Sequence, residues 1–418
     1  MASYTRRRAL ALGGALTGAA LLPGCSSTPP TASRPAADAT SPPPPRPGRL
    51  FADTTAGLAV ADLATGTVRA TYPGAVADAS WTRLYQLADG HLRTYDPATG
   101  RLLHEVTAAG EQIKAASTGQ IVLGPPPGAR TRTTLTLTGE GRPRTLRLDG
   151  NIEPEAFSSD GAVMYVLDRL PPAAPDRYRV RAFDLTRERM GPLQTRDKRQ
   201  VPAGQEEEMR GQGRQAVLDP AQNVLYTLYT HQDTHLHTRD LAAGQDLSPG
   251  VHAFVHVLHL DQRWAYCLDL PAPFGLGPAP GHTLALGEAV LYVFDAASGR
   301  VVRASAQVLT IGRSALLGRS ASGAAEGSAA QEAFSVAGGG RLYLAEGRRV
   351  LVADGATLVP QATWELPGAA RGLAYLEGEV LAGAGEQVLR LDGATGARLG
   401  AFTLPGLRAL RHAERATG

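Results

Sequence analysis

The chain is poor in the residues that would signal a disulfide scaffold, a nucleic-acid binder or a polytopic membrane protein. Two cysteines, Cys25 and Cys267, among 418 residues exclude a disulfide framework. Lysine occurs twice, at Lys114 and Lys198, so the basic charge is almost all arginine. After residue 24 no apolar run is long enough to span a bilayer as a helix. Catalytic strings are missing too: there is no HExxH, no GxSxG elbow, no GxxxxGK[ST] loop and no Trp-Asp dipeptide. GRSASG at 318–323 does not fit the elbow and sits in a Gly/Ser/Ala-rich stretch that reads as a loop. What remains is roughly 370 residues that must be stabilised by an apolar core, which that length can supply.

The first 24 residues read as an export signal (1–24), kept apart from the fold. Arg6, Arg7 and Arg8 precede the small, apolar run ALALGGALTGAALLPG, the length of a signal-peptide core. Leu22-Pro23-Gly24-Cys25 resembles a bacterial lipobox, with Pro23 departing from the usual small residue. That resemblance implies a lipid (palmitate among its acyl chains) on Cys25 and a mature chain that begins there. Thr5-Arg6-Arg7-Arg8-Ala9-Leu10 also resembles a twin-arginine signal. A plain cleaved secretory signal is the alternative. Residues 25–48, rich in Pro and Ser, favour polyproline II and read as a stiff tether. Loss of the three leader arginines takes the formal net charge from +3 to zero, which gives no electrostatic case for nucleic acid. The expected location is the outer face of the cell membrane, held by the lipid, with the domain a monomer.

Between residues 49 and 414 a turn recurs: DLATG at Asp62, DPATG at Asp96, DAASG at Asp295 and DGATG at Asp392, with looser copies at Asp240 and Asp354. Asp accepts from its own downstream backbone, and Gly tolerates the positive φ that closes the hairpin. Short β-rich runs flank these turns, including GLAVAD, HLRTYD, VLYVFD, RVLVAD and QVLRLD. Turn spacings of 34 and 38 residues match one four-stranded blade, and the fold class is all-β: a β-propeller. In the expected order the third strand of a blade ends at the Asp-Gly turn. Blades begin near residues 49, 77, 112, 152, 208, 281, 332 and 371, a count of eight, with seven the alternative. The first lacks an inner strand, which GLRALRHAE (406–414) at the C-terminus can supply to close the ring.

LYVFDAASGRVVRASAQVL and LYLAEGRRVLVADGATLVPQATWELPG resemble the repeats of bacterial YVTN-type or YncE-like propellers, although the literal YVTN string is absent. The resemblance implies a fold, since propellers host many functions. Quinoprotein dehydrogenases place a tryptophan four residues after the turn Gly; here those positions are Ala70, His104, Arg303 and Gly400, which argues against that family.

Three functional readings follow. The first is a binding or scaffold module for a protein or small-molecule ligand at one mouth of the central channel, with no cofactor. The second is a lactonase-type hydrolase that gathers Glu153, Glu155, Arg210, Arg214 and Arg371 around the channel; Glu153 and Glu155, at i and i+2 of a strand, would share a face. The third is a zinc or copper enzyme or sensor built on histidines, six of which lie among residues 229–259. YTHQDTHLHTRD reads as an elongated loop and VHAFVHVLH as a packed strand, so His235 and His237 would have to fold back onto His252 and His256. Cys267 reads as core packing, and Glu206-Glu207-Glu208 as a solvated loop.

Overall fold

Alternating Val, Leu and Tyr between Asp-Gly turns cannot bury both faces in a single sheet, so the sheets stack face to face around an axis. The computed structural model describes residues 47–117, 119–139, 142–202, 204–232, 237, 252–318 and 332–416. These form eight four-stranded antiparallel sheets, the blades of a propeller. The inner strands are Leu407–Arg415 for blade 1, Val76–Ala77 for blade 2, Gln112–Ser117 for blade 3 and Asn151–Phe157 for blade 4. Blades 5 to 8 begin with Gln212–Asp219, His282–Gly287, Ala333–Gly338 and Ala370–Leu376. Among the described residues the only helical element is a 3-10 turn at Ala279–Gly281.

Blade 1 is completed by the C-terminal strand, which pairs antiparallel with Gly48–Thr54, Arg49 opposite Glu414 and Phe51 opposite His412. The two ends of the chain therefore share one sheet, and opening the ring would expose a bare strand edge. The stretch from 197 to 290, irregular in sequence, contains blade 5 with its normal four strands, lengthened by the connection between Val224–Gln232 and His252–His259.

The Asp turns act as their chemistry requires. In blade 1, Asp62 Oδ1 accepts from the Ala64 and Thr65 amides at 2.9 and 3.1 Å, while Gly66 takes φ +74°. In blade 7 the copy at Asp354 places Leu358 at φ +60°. This left-handed leucine is strained, but its side chain is buried in the core between blades 6 and 7, which offsets the cost. In blades 1, 2, 7 and 8 the turn joins the third and fourth strands, but Asp295 joins the second and third strands of blade 6. The turn is a local device that closes any two-strand hairpin, so it does not mark a fixed blade position.

A second repeat lies in the second strands. Tyr85, Tyr165, Tyr226, Tyr292 and Tyr343 each follow Leu or Met in the second strand of their blade. Each phenol donates to a backbone carbonyl beyond its own blade: Ser117, Leu260, Ala306, Gly355 and Gly393 respectively. The rings fill the apolar layer between blades while the hydroxyls satisfy carbonyls of the next blade.

Candidate functional site

Two places in the propeller concentrate polar chemistry. The first is buried between blades 4 and 5. Strand pairing sets His256 opposite Cys267 and Phe254 opposite Asp269, so alternation puts His252, Phe254, His256, Cys267 and Asp269 on one face of blade 5. That face meets Tyr178, Val180, Leu193 and Met209 of the blade 4 side.

Against it lies the segment leading into blade 5, held in extended form by paired backbone bonds between Tyr178 and Met209, at 2.8 and 2.7 Å. Extended backbone alternates its side chains, which explains the fate of the three glutamates. Glu206 points to Arg181, 2.8 Å away, and Glu208 to Arg177. Glu207 turns inward and is only 7% exposed. Arg177, Arg179 and Arg181 at alternate positions of the third strand of blade 4, Arg177–Asp184, form the matching ladder, with Arg179 also bonded to Asp168 at 2.8 Å. The expectation of a solvated loop holds for the exposed Glu208 and is corrected for Glu207, which is buried, and for the partly buried Glu206. The signal was present in the sequence as RYRVRAF, three arginines at spacing two, but its acidic counterpart lies 25 or more residues away and only the fold brings them together.

Glu207 meets two further groups. The Cys267 thiol donates to its Oε1 at 2.9 Å, and His237 Nδ1 lies 3.5 Å from the same oxygen. On its other side His237 Nε2 is 2.8 Å from Asp269 Oδ2, and Asp269 Oδ1 is 3.2 Å from His252 Nε2. His237 is 1% and Cys267 2% exposed. Burial disfavours a charged imidazole, but the Asp269 and Glu207 carboxylates outweigh it and push His237 up to about 9. Burial would likewise raise Asp269, yet His237 and His252 hold its carboxyl well below the usual range. One donor atom each from Glu207, His237 and Cys267 lies within 4.8 Å of the others. Beside Glu207 a cavity of about 20 Å3 is lined by His256, Met209 and Ala265 among others.

Of the four histidines singled out in the sequence, His237 does reach back to His252, through Asp269, and His256 lines the adjoining cavity. His235 lies outside the described residues, as do Cys25 and Asp240. Cys267 packs in the core, as its residue type suggests, and in addition hydrogen-bonds a carboxylate. Glu207 reads in the sequence only as the middle of a solvated run, and Asp269 carries no signal, because nothing in a Glu or Asp itself announces an inward-facing position.

The second place is the ring of inner strands. Five of the eight are bulged, and each irregularity carries a charged residue: Lys114, Glu155, Arg214, Arg371 (beside Gly372) and, on the closing strand, both Arg408 and Arg411. A bulge inserts one residue against the partner strand and re-aims its side chain. Glu155 is such a residue, so the simple alternation that would set Glu153 and Glu155 on one face is interrupted between them. Glu153 instead pairs with Lys114 of blade 3, at 3.1 Å. Arg214 reaches from blade 5 past blade 6 to Glu332, 3.4 Å away at the start of blade 7. Arg411 bonds Asp53 within blade 1. Arg210 lies outside the ring in the segment leading into blade 5, 4.0 Å from Asp176, and Arg371 is exposed on blade 8, across the ring from blade 4.

No protein-family model matches the chain, and no curated protein matches it. Solved structures align over most of its length. Saccharomyces cerevisiae Sqt1 is 9% identical with a TM-score of 0.47, covering 78% of this chain and 83% of its own. Dihydro-heme d1 dehydrogenase NirN is 11% identical with a TM-score of 0.42, over 91% and 77%. BamB from Moraxella catarrhalis is 11% identical with a TM-score of 0.39, over 80% and 92%. Likeness at this level carries no argument about function.

Proposed function

We propose that this chain is an exported, lipid-anchored propeller that acts as a binding or scaffold module at the outer face of the cell membrane. The observation that carries the binding reading is the set of six charged residues at the bulges of the inner strands. Bulges disrupt a ladder and persist where a side chain must be aimed, and here they bring polar groups of blades 1, 3, 4, 5 and 8 towards one axis. Lys114, Arg214 and Arg411 sit in ion pairs, with Glu153, Glu332 and Asp53. Paired charges suit a fixed recognition surface better than an acid or base that must exchange protons, which favours binding over the hydrolytic reading. The anchor and the export route rest on the leader residues and on Cys25 alone.

Site-specific photo-crosslinking tests the binding reading. A photoreactive residue at Arg371, on an inner strand, should trap a defined partner in cells, and one at Arg398, on the outer strand of blade 8, should not. Equal labelling at both positions would refute channel-mouth binding. For the anchor, Cys25→Ala should release the protein from the membrane fraction; an unchanged membrane fraction would refute lipidation.

A further inference from the structure

Beyond the channel, and independently of it, we propose that Glu207, His237 and Cys267 form a binding site for a zinc ion between blades 4 and 5. The donor set is one carboxylate, one imidazole and one thiol, a mixture that suits zinc better than the oxygen-only preference of magnesium or calcium. Their donor atoms lie within 4.8 Å of one another. Ligands about 2.0–2.3 Å from a tetrahedral zinc stand roughly 3.3–3.8 Å apart. The imidazole–carboxylate pair, at 3.5 Å, already has that spacing, and the thiol–carboxylate pair, at 2.9 Å, must open slightly to admit the ion.

The surroundings are those of a supported ligand set. A metal-binding histidine commonly gives its second ring nitrogen to a carboxylate, which fixes the ring and its tautomer. Here Nδ1 faces Glu207, while Nε2 is held 2.8 Å from Asp269. Asp269 is in turn held by His252 at 3.2 Å. Cys267 stands on the regular outer strand Trp264–Asp269, and Glu207 on the segment fastened to Tyr178 through Met209. The cavity of about 20 Å3 on the far side of Glu207 has room for one water against that carboxylate. Burial adds a reason: a carboxylate, an imidazole and a thiol in an apolar layer are costly to keep there, and a divalent cation compensates two anionic ligands at once. Zinc would bind with release of two protons, one from the Cys267 thiol and one from Nδ1 of the His237 imidazolium, leaving a zinc–sulfur bond and a neutral imidazole ligand.

The test uses the tag-free full chain. Elemental analysis should find one zinc per chain after exposure to equimolar zinc and dialysis. Cobalt substituted for zinc should give the near-ultraviolet charge-transfer band of a cobalt–thiolate bond. Cys267→Ala, which keeps the apolar packing, should abolish that band, and His237→Gln should abolish tight binding. Asp269→Asn should weaken zinc by about 10–100-fold, as loss of an orienting carboxylate does. His104→Gln, on the outer strand of blade 2, should leave binding unchanged. Circular dichroism of each apo variant checks the fold; if Cys267→Ala unfolds, His237→Gln, which lies on the hairpin connection, decides. Zinc retained at full stoichiometry in His237→Gln, a cobalt form without the thiolate band, or a chain that takes no zinc would each overturn the site. Any of these would leave the cluster as a hydrogen-bonded core network.

Discussion

Tyr343→Phe should weaken the seam between blades 7 and 8 by about 2 kcal/mol. Its phenol donates at 2.8 Å to the Gly393 carbonyl, and the tyrosine is 1% exposed. Among the described residues no second donor reaches that carbonyl, so removing the hydroxyl strands a buried acceptor, which costs about 1–3 kcal/mol. Tyr292→Phe supplies the internal comparison. Tyr292 donates to Gly355 at 2.8 Å, but Arg303 Nε also reaches that carbonyl at 3.2 Å. The acceptor stays satisfied, and the loss should be nearer 1 kcal/mol, the net worth of an ordinary hydrogen bond. For a chain of this length 2 kcal/mol moves the melting temperature by only about 2–3 °C, so urea titration is the better assay. Trp364, whose ring centroid is 5.7 Å from that of Tyr343, reports on the same seam by fluorescence. If Tyr292→Phe costs as much as Tyr343→Phe, or if neither moves the midpoint, the phenols are packing groups and the inter-blade hydrogen bonds contribute nothing.

Other outcomes follow from the same geometry. Burial pushes the Tyr226 and Tyr343 phenols up to about 12 and raises Tyr165 further. Their native pKa values lie above the unfolded value of about 10, so stability is intact below that pH and falls as pH rises through it towards 12; urea midpoints flat to pH 11 would refute this. Truncation after Leu404 removes the inner strand of blade 1, with buried Leu407, Ala409 and Leu410, and should abolish cooperative unfolding by calorimetry; a native-like transition would show that the ring does not need closure by its ends. Gly372 has φ +110°, and a Cβ there would lie 2.8 Å from the Leu410 amide nitrogen, so Gly372→Ala should cost about 1–3 kcal/mol by urea titration, and an unchanged midpoint would refute the tight seam between blades 8 and 1. Burial raises the Glu346 carboxyl, so stability falls with pH above the unfolded glutamate value, and Glu346→Gln should be the more stable protein at neutral pH; a less stable variant would mean that its contact with Arg349, at 3.7 Å, outweighs burial.

The sequence by itself determined the elements and their order. A period-two pattern of Val, Leu and Tyr fixes strands, Asp and Gly fix the hairpins, and both act within a few residues, so they can be read without a partner. That is why the blade starts near 77, 112, 152, 281, 332 and 371 fall within one residue of the inner strands, and why GLRALRHAE is legible as the closing strand. The sequence places blade 5 at 208 and its inner strand begins at Gln212; Met209, just before it, pairs instead in an isolated bridge with Tyr178 of blade 4.

Tertiary structure alone decided the rest, because it depends on residues far apart in the chain. The alternation of VHAFVHVLH shows that His252 and His256 share a face, but only the stacking of blade 4 on blade 5 gives that face a buried Glu207. The five tyrosines are visible as a repeat, yet the carbonyls they bind belong to other blades. Bulges are the least legible feature. One extra residue in a strand leaves no mark in composition, and it shows only when the neighbouring strand lacks a partner for Lys114, Glu155 or Arg214.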